Sequence, residues 1–164
     1  MRQFTAWNGP SPTTAAQVAV TTGVAVKTLL QVAPPATLEL EVIAWGVSFD
    51  SGTFGAKIKC ELIETDVAAT VTAHAAAGIV KVTDPGQLAS QVTLGVAATG
   101  YTASAEGAIA ASRVLDAQWV DQSGAYSYTW PLGNYPVAAI SKFLRVRVTA
   151  TAAVNALAFI TWGE

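Results

Sequence analysis

The stretch Ala156 to Trp162 constrains this chain more than any other, because it reads as a β-strand that is apolar on both sides. Leu157 and Phe159 project one way, while Ala156, Ala158, Ile160 and Trp162 project the other. Side chains alternate along a strand, so these are two separate surfaces. The strand before it differs: Leu144, Val146 and Val148 share one side, opposite Phe143, Arg145 and Arg147. A strand apolar on both sides must be covered on both sides, by its own core and by something else. What that cover is becomes the question of function.

Composition narrows the choice. A 164-residue chain is long enough for one domain with a self-sufficient core. Charged residues make up 12% of it, about half the roughly 25% usual for soluble domains. A surface so poor in charge and rich in Ala, Val and Thr favours assembly over solitary existence. A net charge of −2 with scattered basic residues argues against nucleic acid, which requires clustered Lys and Arg. The tightest basic groups are only Lys57/Lys59 and Arg145/Arg147. Cys60 is the lone cysteine, so neither an intramolecular disulfide nor a cysteine-based zinc site is expected. Residues 1–16 lack the apolar run of a signal peptide, and uncharged stretches elsewhere are broken by Gly, Pro, Gln and Asn. Synthesis in a reducing cytoplasm and no membrane partner are the expectations.

Along the chain, residues 1–16 read as an extended N-terminal arm. Pro10 and Pro12 disfavour regular structure, and Phe4 and Trp7 have no periodic segment to bury them. Residues 17–164 then form the domain. Strands are predicted at Val24–Val32, Leu38–Phe49, Ala56–Thr65, Ala108–Val120 and Ala125–Trp130, before the final pair. A turn at Asp50, Ser51, Gly52 and Gly55 would fold the second of these onto the third as a hairpin. That places Ile43, Trp45 and Val47 opposite Leu62, Cys60 and Ile58. Leu38, Leu40 and Val42 have the opposite phase, so either a bulge near Ala44 switches it or both faces are covered. Asp66–Gly78 suits a short helix or a strand, and residues 83–106 read mostly as loop. About eight strands with little helix indicate an all-β, single-domain β-sandwich of jelly-roll type.

The chemistry-bearing residues give no catalytic constellation. His74 is the only histidine and stands among Ala and Thr, with Cys60 expected in the core. Glu39, Glu41, Glu61, Glu64 and Asp66 would gather at one end of the hairpin, with Glu41 facing Glu64. They lack the D-x-D-x-D-G order of a calcium loop, and charges at strand ends are ordinary. Tyr126, Tyr128 and Trp130 alternate and therefore share one face. They read as a core or interface ladder, or alternatively as a platform for sugar rings. Neither a phosphate-binding glycine loop nor an N-glycosylation site is present, and no cofactor is expected.

Six stretches carry a family resemblance. They are WGVSFD (Trp45–Asp50), CELIETDVAATVTAH (Cys60–His74), ATGYTASAEG (Ala98–Gly107), LDAQWV (Leu115–Val120), WPLGNYP (Trp130–Pro136) and FLRVRVTATAAVNALAFITWGE (Phe143–Glu164). They resemble a family of small β-rich virion proteins of tailed bacteriophages, over most of the chain after about residue 38. The resemblance implies a jelly-roll capsid decoration, or cement, protein on the outer surface of the phage head, commonly a trimer, bound to the major capsid protein. It implies no catalytic residue. The residues expected at partner interfaces are Phe4, Trp7, Leu38, Leu40, Tyr126, Tyr128, Trp130, Leu157 and Phe159. The alternative is a trimeric tail-fibre or adhesin domain that recognises a host glycan through its aromatics; the lack of a fibrous segment favours decoration. A cupin-like enzyme is disfavoured by the single histidine.

Overall fold

Period-two alternation runs through this chain, and nearly every such run becomes a strand. A computed structural model describes residues 1–10, 16–50 and 54–164. Pro12, Ser51 and Gly52, which enter the sequence argument above, lie outside the described residues. In order, the strands are β1 (Gln3–Trp7), β2 (Val20–Thr21), β3 (Val26–Val32), β4 (Leu40–Phe49), β5 (Lys57–Thr65), β6 (Thr70–Ala73) and β7 (Val80–Lys81). They continue as β8 (Gly100–Ala105), β9 (Ser112–Asp121), β10 (Ala125–Thr129), β11 (Val137–Ala138), β12 (Phe143–Thr149) and β13 (Asn155–Gly163). Among the described residues one 3-10 turn forms, at Ala76–Gly78.

The strands form two antiparallel sheets packed face to face as a β-sandwich. The front sheet runs β10-β4-β13-β1-β7, with β11 extending the pairing of β4 and β2 that of β13. The back sheet runs β6-β8-β3-β12-β5-β9. One core lies between them. Phe4, Trp45, Val47, Ile160 and Trp162 enter it from the front, and Leu30, Cys60, Leu62, Val146 and Val148 from the back. Phe4 and Trp162 meet there with ring centroids 6.2 Å apart.

Three sequence expectations change. The N-terminal arm is in fact a strand from Gln3 to Trp7, paired to β13 on one side and β7 on the other. Its prolines follow its end, so they do not interrupt it, and Phe4 and Ala6 both face inward, fully buried. The hairpin is also corrected: β4 and β5 lie in different sheets, so their apolar faces meet across the core rather than side by side. Turn residues alone do not distinguish a hairpin from a crossover between layers. Finally, the loop expected over residues 83–106 ends in a true strand, β8.

The phase switch in β4 comes from a bulge. Thr161 faces Ala44 while Trp162 faces Val42, leaving Ile43 as the extra residue. Its carbonyl accepts the Trp130 amide at 2.9 Å. Residues 66–78, open between helix and strand, become β6 followed by the 3-10 turn.

Candidate docking face

The outer side of the front sheet is where the two-sided strand finds its second surface. β1 and β13 pair so that Trp7 lies opposite Phe159, with rings 5.2 Å apart at 42°. Phe159 in turn lies opposite Gly46 of β4. A Cβ built on Gly46 would come within 2.5 Å of the Phe159 ring, so glycine is what lets the ring lie flat across the strand. Asn8 fastens this arrangement beyond the last backbone pair of β1. Its amide donates to the Ala156 carbonyl at 2.9 Å, and its carbonyl accepts the Ala158 amide at 2.7 Å.

Three adjoining hollows open around Leu157. The first, about 310 Å³, is walled by Trp7, Pro10, Val80 and Leu157. A second of about 200 Å³ lies between Phe159 and Ser127 of β10. A third of about 430 Å³ has the polar rim of Ser48, Asp50 and Asn155. Trp7, Leu157 and Phe159 are each half-buried. Together they make an apolar groove whose shape is set by strand register and by one glycine.

The other expected interface residues are distributed differently. Phe4 and Leu40 are fully buried in the chain's own core and present nothing to a partner; both point inward because their strand neighbours take the outer face. Leu38 is half-buried just before β4. Tyr126, Tyr128 and Trp130 do form a ladder, but on the core side of an edge strand. Tyr126 packs on Trp45 at 5.5 Å, and Tyr128 meets Trp130 edge-on at 5.1 Å. The Tyr126 hydroxyl and the Trp45 indole nitrogen both donate to Asp116, at 2.7 and 3.1 Å. Burial and that carboxylate push the Tyr126 phenol up to about 12. Tyr128 keeps 41% of its surface exposed.

The outer side of the back sheet is organised by charge. Arg145 is fully buried; it donates to the Glu106 carbonyl at 3.0 Å, reaches the Glu106 carboxylate at 3.4 Å and bonds the Val67 carbonyl. Burial lowers the guanidinium's proton affinity, and the Glu106 charge opposes that shift. Glu61 lies between Lys59 at 2.7 Å and Arg147 at 3.0 Å. Burial pushes the Glu61 carboxyl up, but the hydrogen bonds and charges of these two cations outweigh it and hold the group below its ordinary value.

The acidic cluster expected from sequence is dispersed by the sandwich. Glu41 sits in the front sheet, whereas Glu64 in the back sheet pairs with Arg113 at 3.0 Å. Among the described residues no three of His, Cys, Asp and Glu converge on a metal-sized site. Cys60 faces the core as expected, and burial, helped by Glu61, raises its thiol to about 12. His74 is buried against the back of the groove wall, its Nε2 2.8 Å from the Trp7 carbonyl. No helix among the described residues is long and apolar enough to cross a membrane.

No protein family, curated protein or solved structure matches the chain. Sequence reasoning missed Gly46, Asn8 and Asp116. Gly46 had a signal, a lone glycine inside an otherwise apolar strand, which marks a close approach. Asn8 and Asp116 had none, because their partners are distant in sequence.

Proposed function

We propose that this chain is a structural virion protein of a tailed bacteriophage, a decoration protein that binds the outer surface of the capsid through protein–protein contacts. On this reading its subunits form a trimer and grip the major capsid protein. The observation that carries it is the groove of Trp7, Leu157 and Phe159 on the outer side of the front sheet. This is an apolar surface held rigid by β-pairing, not by a chemical centre. Burying roughly 400 Å² of such surface contributes about 10 kcal/mol before the costs of association are subtracted. Repetition over several neighbours then makes detachment slow.

The jelly-roll reading is part of the same proposal. In its support, the order β1-β13-β4-β10 faces the order β3-β12-β5-β9, with the first strand beside the last; β1, β3, β4 and β5 alternate between layers, β5 and β9 pair within the back sheet, and β9, β10, β12 and β13 alternate again. The adhesin alternative draws less support. Its aromatic platform is occupied by Trp45 and Asp116, which leaves Tyr128 as the most exposed ring of the three.

The test is stoichiometry on purified virions, by quantitative mass spectrometry against the major capsid protein. Decoration requires copies in fixed proportion to the capsid subunits. A few copies per particle, confined to the tail, would replace the reading with the adhesin one. Absence from virions would reject both.

A further inference from the structure

His74 is the only histidine, and it occupies an unusual place. It follows β6, and its backbone amide donates to the Thr99 carbonyl at 3.2 Å. Its Nε2 lies 2.8 Å from the carbonyl of Trp7, which can only accept, so Nε2 carries the proton. Nδ1 is then the acceptor nitrogen, and it is buried with no hydrogen-bond partner among the described residues. The ring packs against Tyr101 of β8 at 4.8 Å. Tyr101 is the titratable side chain in contact with the ring, and among the described residues no charged group from β1, β8 or the neighbouring loops acts on the imidazole.

A second proton has only Nδ1 to bind. There it would create a buried cation with an unmet donor, which costs far more than the neutral ring. The imidazole can take that proton only by leaving its pocket for water. Leaving breaks the tie to Trp7, and the two ends of that tie are held unequally. Trp7 stays fixed, because Asn8 next to it makes two side-chain bonds to β13. The segment that follows His74 makes no side-chain hydrogen bond to β13 among the described residues; it is held by the 3-10 turn, by the two-residue pairing of β7 with β1, by the Val82 amide donating to the Gln3 carbonyl at 2.9 Å, and by Ile79 resting on the core. That segment supplies Gly78 and Val80, which line the 310 Å³ hollow together with Trp7 and Leu157.

We propose that His74 is an acid-operated latch: neutral, it holds the 74–80 wall against Trp7 and keeps the groove closed to its present width; protonated, it lets that wall swing away. Burial lowers the imidazole below its ordinary value of 6.5, and the Trp7 hydrogen bond opposes this only in part. The latch is therefore closed at neutral pH and opens in acid, below 6.5. The inference stands on the groove's geometry and holds whatever partner fills it.

A lone histidine makes the test clean. The imidazole signal of the whole chain is followed by NMR from pH 7.5 downward until the ring has titrated, together with the backbone amides of Gly78, Val80, Asn8 and Ala158. The expected result is an imidazole midpoint below 6.5, with Gly78 and Val80 shifting at the same midpoint while Asn8 and Ala158 stay still. In His74→Gln, whose Nε2 amide can donate to the Trp7 carbonyl without titrating, the Gly78 and Val80 shifts should vanish from this range. An imidazole midpoint at or above 6.5, or wall amides indifferent to it, overturns the latch, as does the same wall movement in His74→Gln. If His74→Gln fails to fold, co-titration in the wild-type chain decides alone.

Discussion

The outer sides of β12 and β13 show how two consecutive strands, one in each sheet, can settle their surfaces in opposite ways. β12 turns Arg145 and Arg147 outward, and the chain itself closes over them with Glu106, Val67 and Glu61. β13 turns Leu157 and Phe159 outward, and the described part of the chain adds Trp7, Pro10 and Val80 around hollows that stay open. Buried charge needs specific partners at fixed distances, so the back face is completed within the molecule. Apolar surface needs only area, so the front face can be completed by another molecule. The contrast separates what stabilises this protein from what the protein docks with.

The largest effect should come from breaking the charged side. Arg145→Ala leaves the Glu106 carboxylate without its cation and opens a void under the 66–69 and 106 loops. An unfolding loss of about 4 kcal/mol is expected in urea. A loss under about 1 kcal/mol would mean that this face is held by backbone pairing instead. Next comes the inner side of the two-faced strand. Ile160→Ala, in the core, should cost about 3 kcal/mol, whereas Leu157→Ser, three residues away on the groove, should cost under about 1 kcal/mol. Equal costs would contradict the division into core and docking faces.

Much of this division was legible in the sequence. The alternation in β12 and β13 identified the inward residues, and the phase clash between Leu40–Val42 and Trp45–Val47 called for either a bulge near Ala44 or cover on both faces, of which the bulge is what forms. The β-sandwich class followed from strand spacing. What was not legible is pairing at long range. Whether β4 and β5 share a sheet depends on whether β13 intrudes beside β4, and nothing within residues 38–65 encodes that. For the same reason, Phe4 looked stranded: its partner Trp162 stands at the far end of the chain. The groove's outer residues Leu157 and Phe159 were visible early, but Gly46, the residue that lets Phe159 lie flat, acquires its meaning only from register.

Smaller effects sharpen the comparison. Tyr126→Phe removes one donor to Asp116 and leaves the indole of Trp45 as its partner on the same oxygen. A loss of about 1 kcal/mol is expected, together with disappearance of the phenol that titrates near 12 in the absorbance profile. Glu61 gives the charged face a pH signature. Its carboxyl is held below the ordinary 4.5, so the stability it contributes is fully present above that value. That contribution is lost as pH falls through the lower folded-state value. Glu61→Gln should flatten the acid limb of a Tm-against-pH curve below about 4.5 without altering the region near neutrality. An unchanged acid limb would show that the Lys59–Glu61–Arg147 contacts contribute nothing measurable.

The most direct measurement is the mass of the purified chain in solution, by light scattering at micromolar concentration, with Leu157→Ser as the comparison. The groove account expects the 16.9 kDa chain to sediment and scatter as a trimer, and Leu157→Ser to fall to the monomer mass while unfolding at nearly the wild-type temperature. A wild-type chain that stays monomeric throughout, or a Leu157→Ser variant that remains fully trimeric, would contradict it.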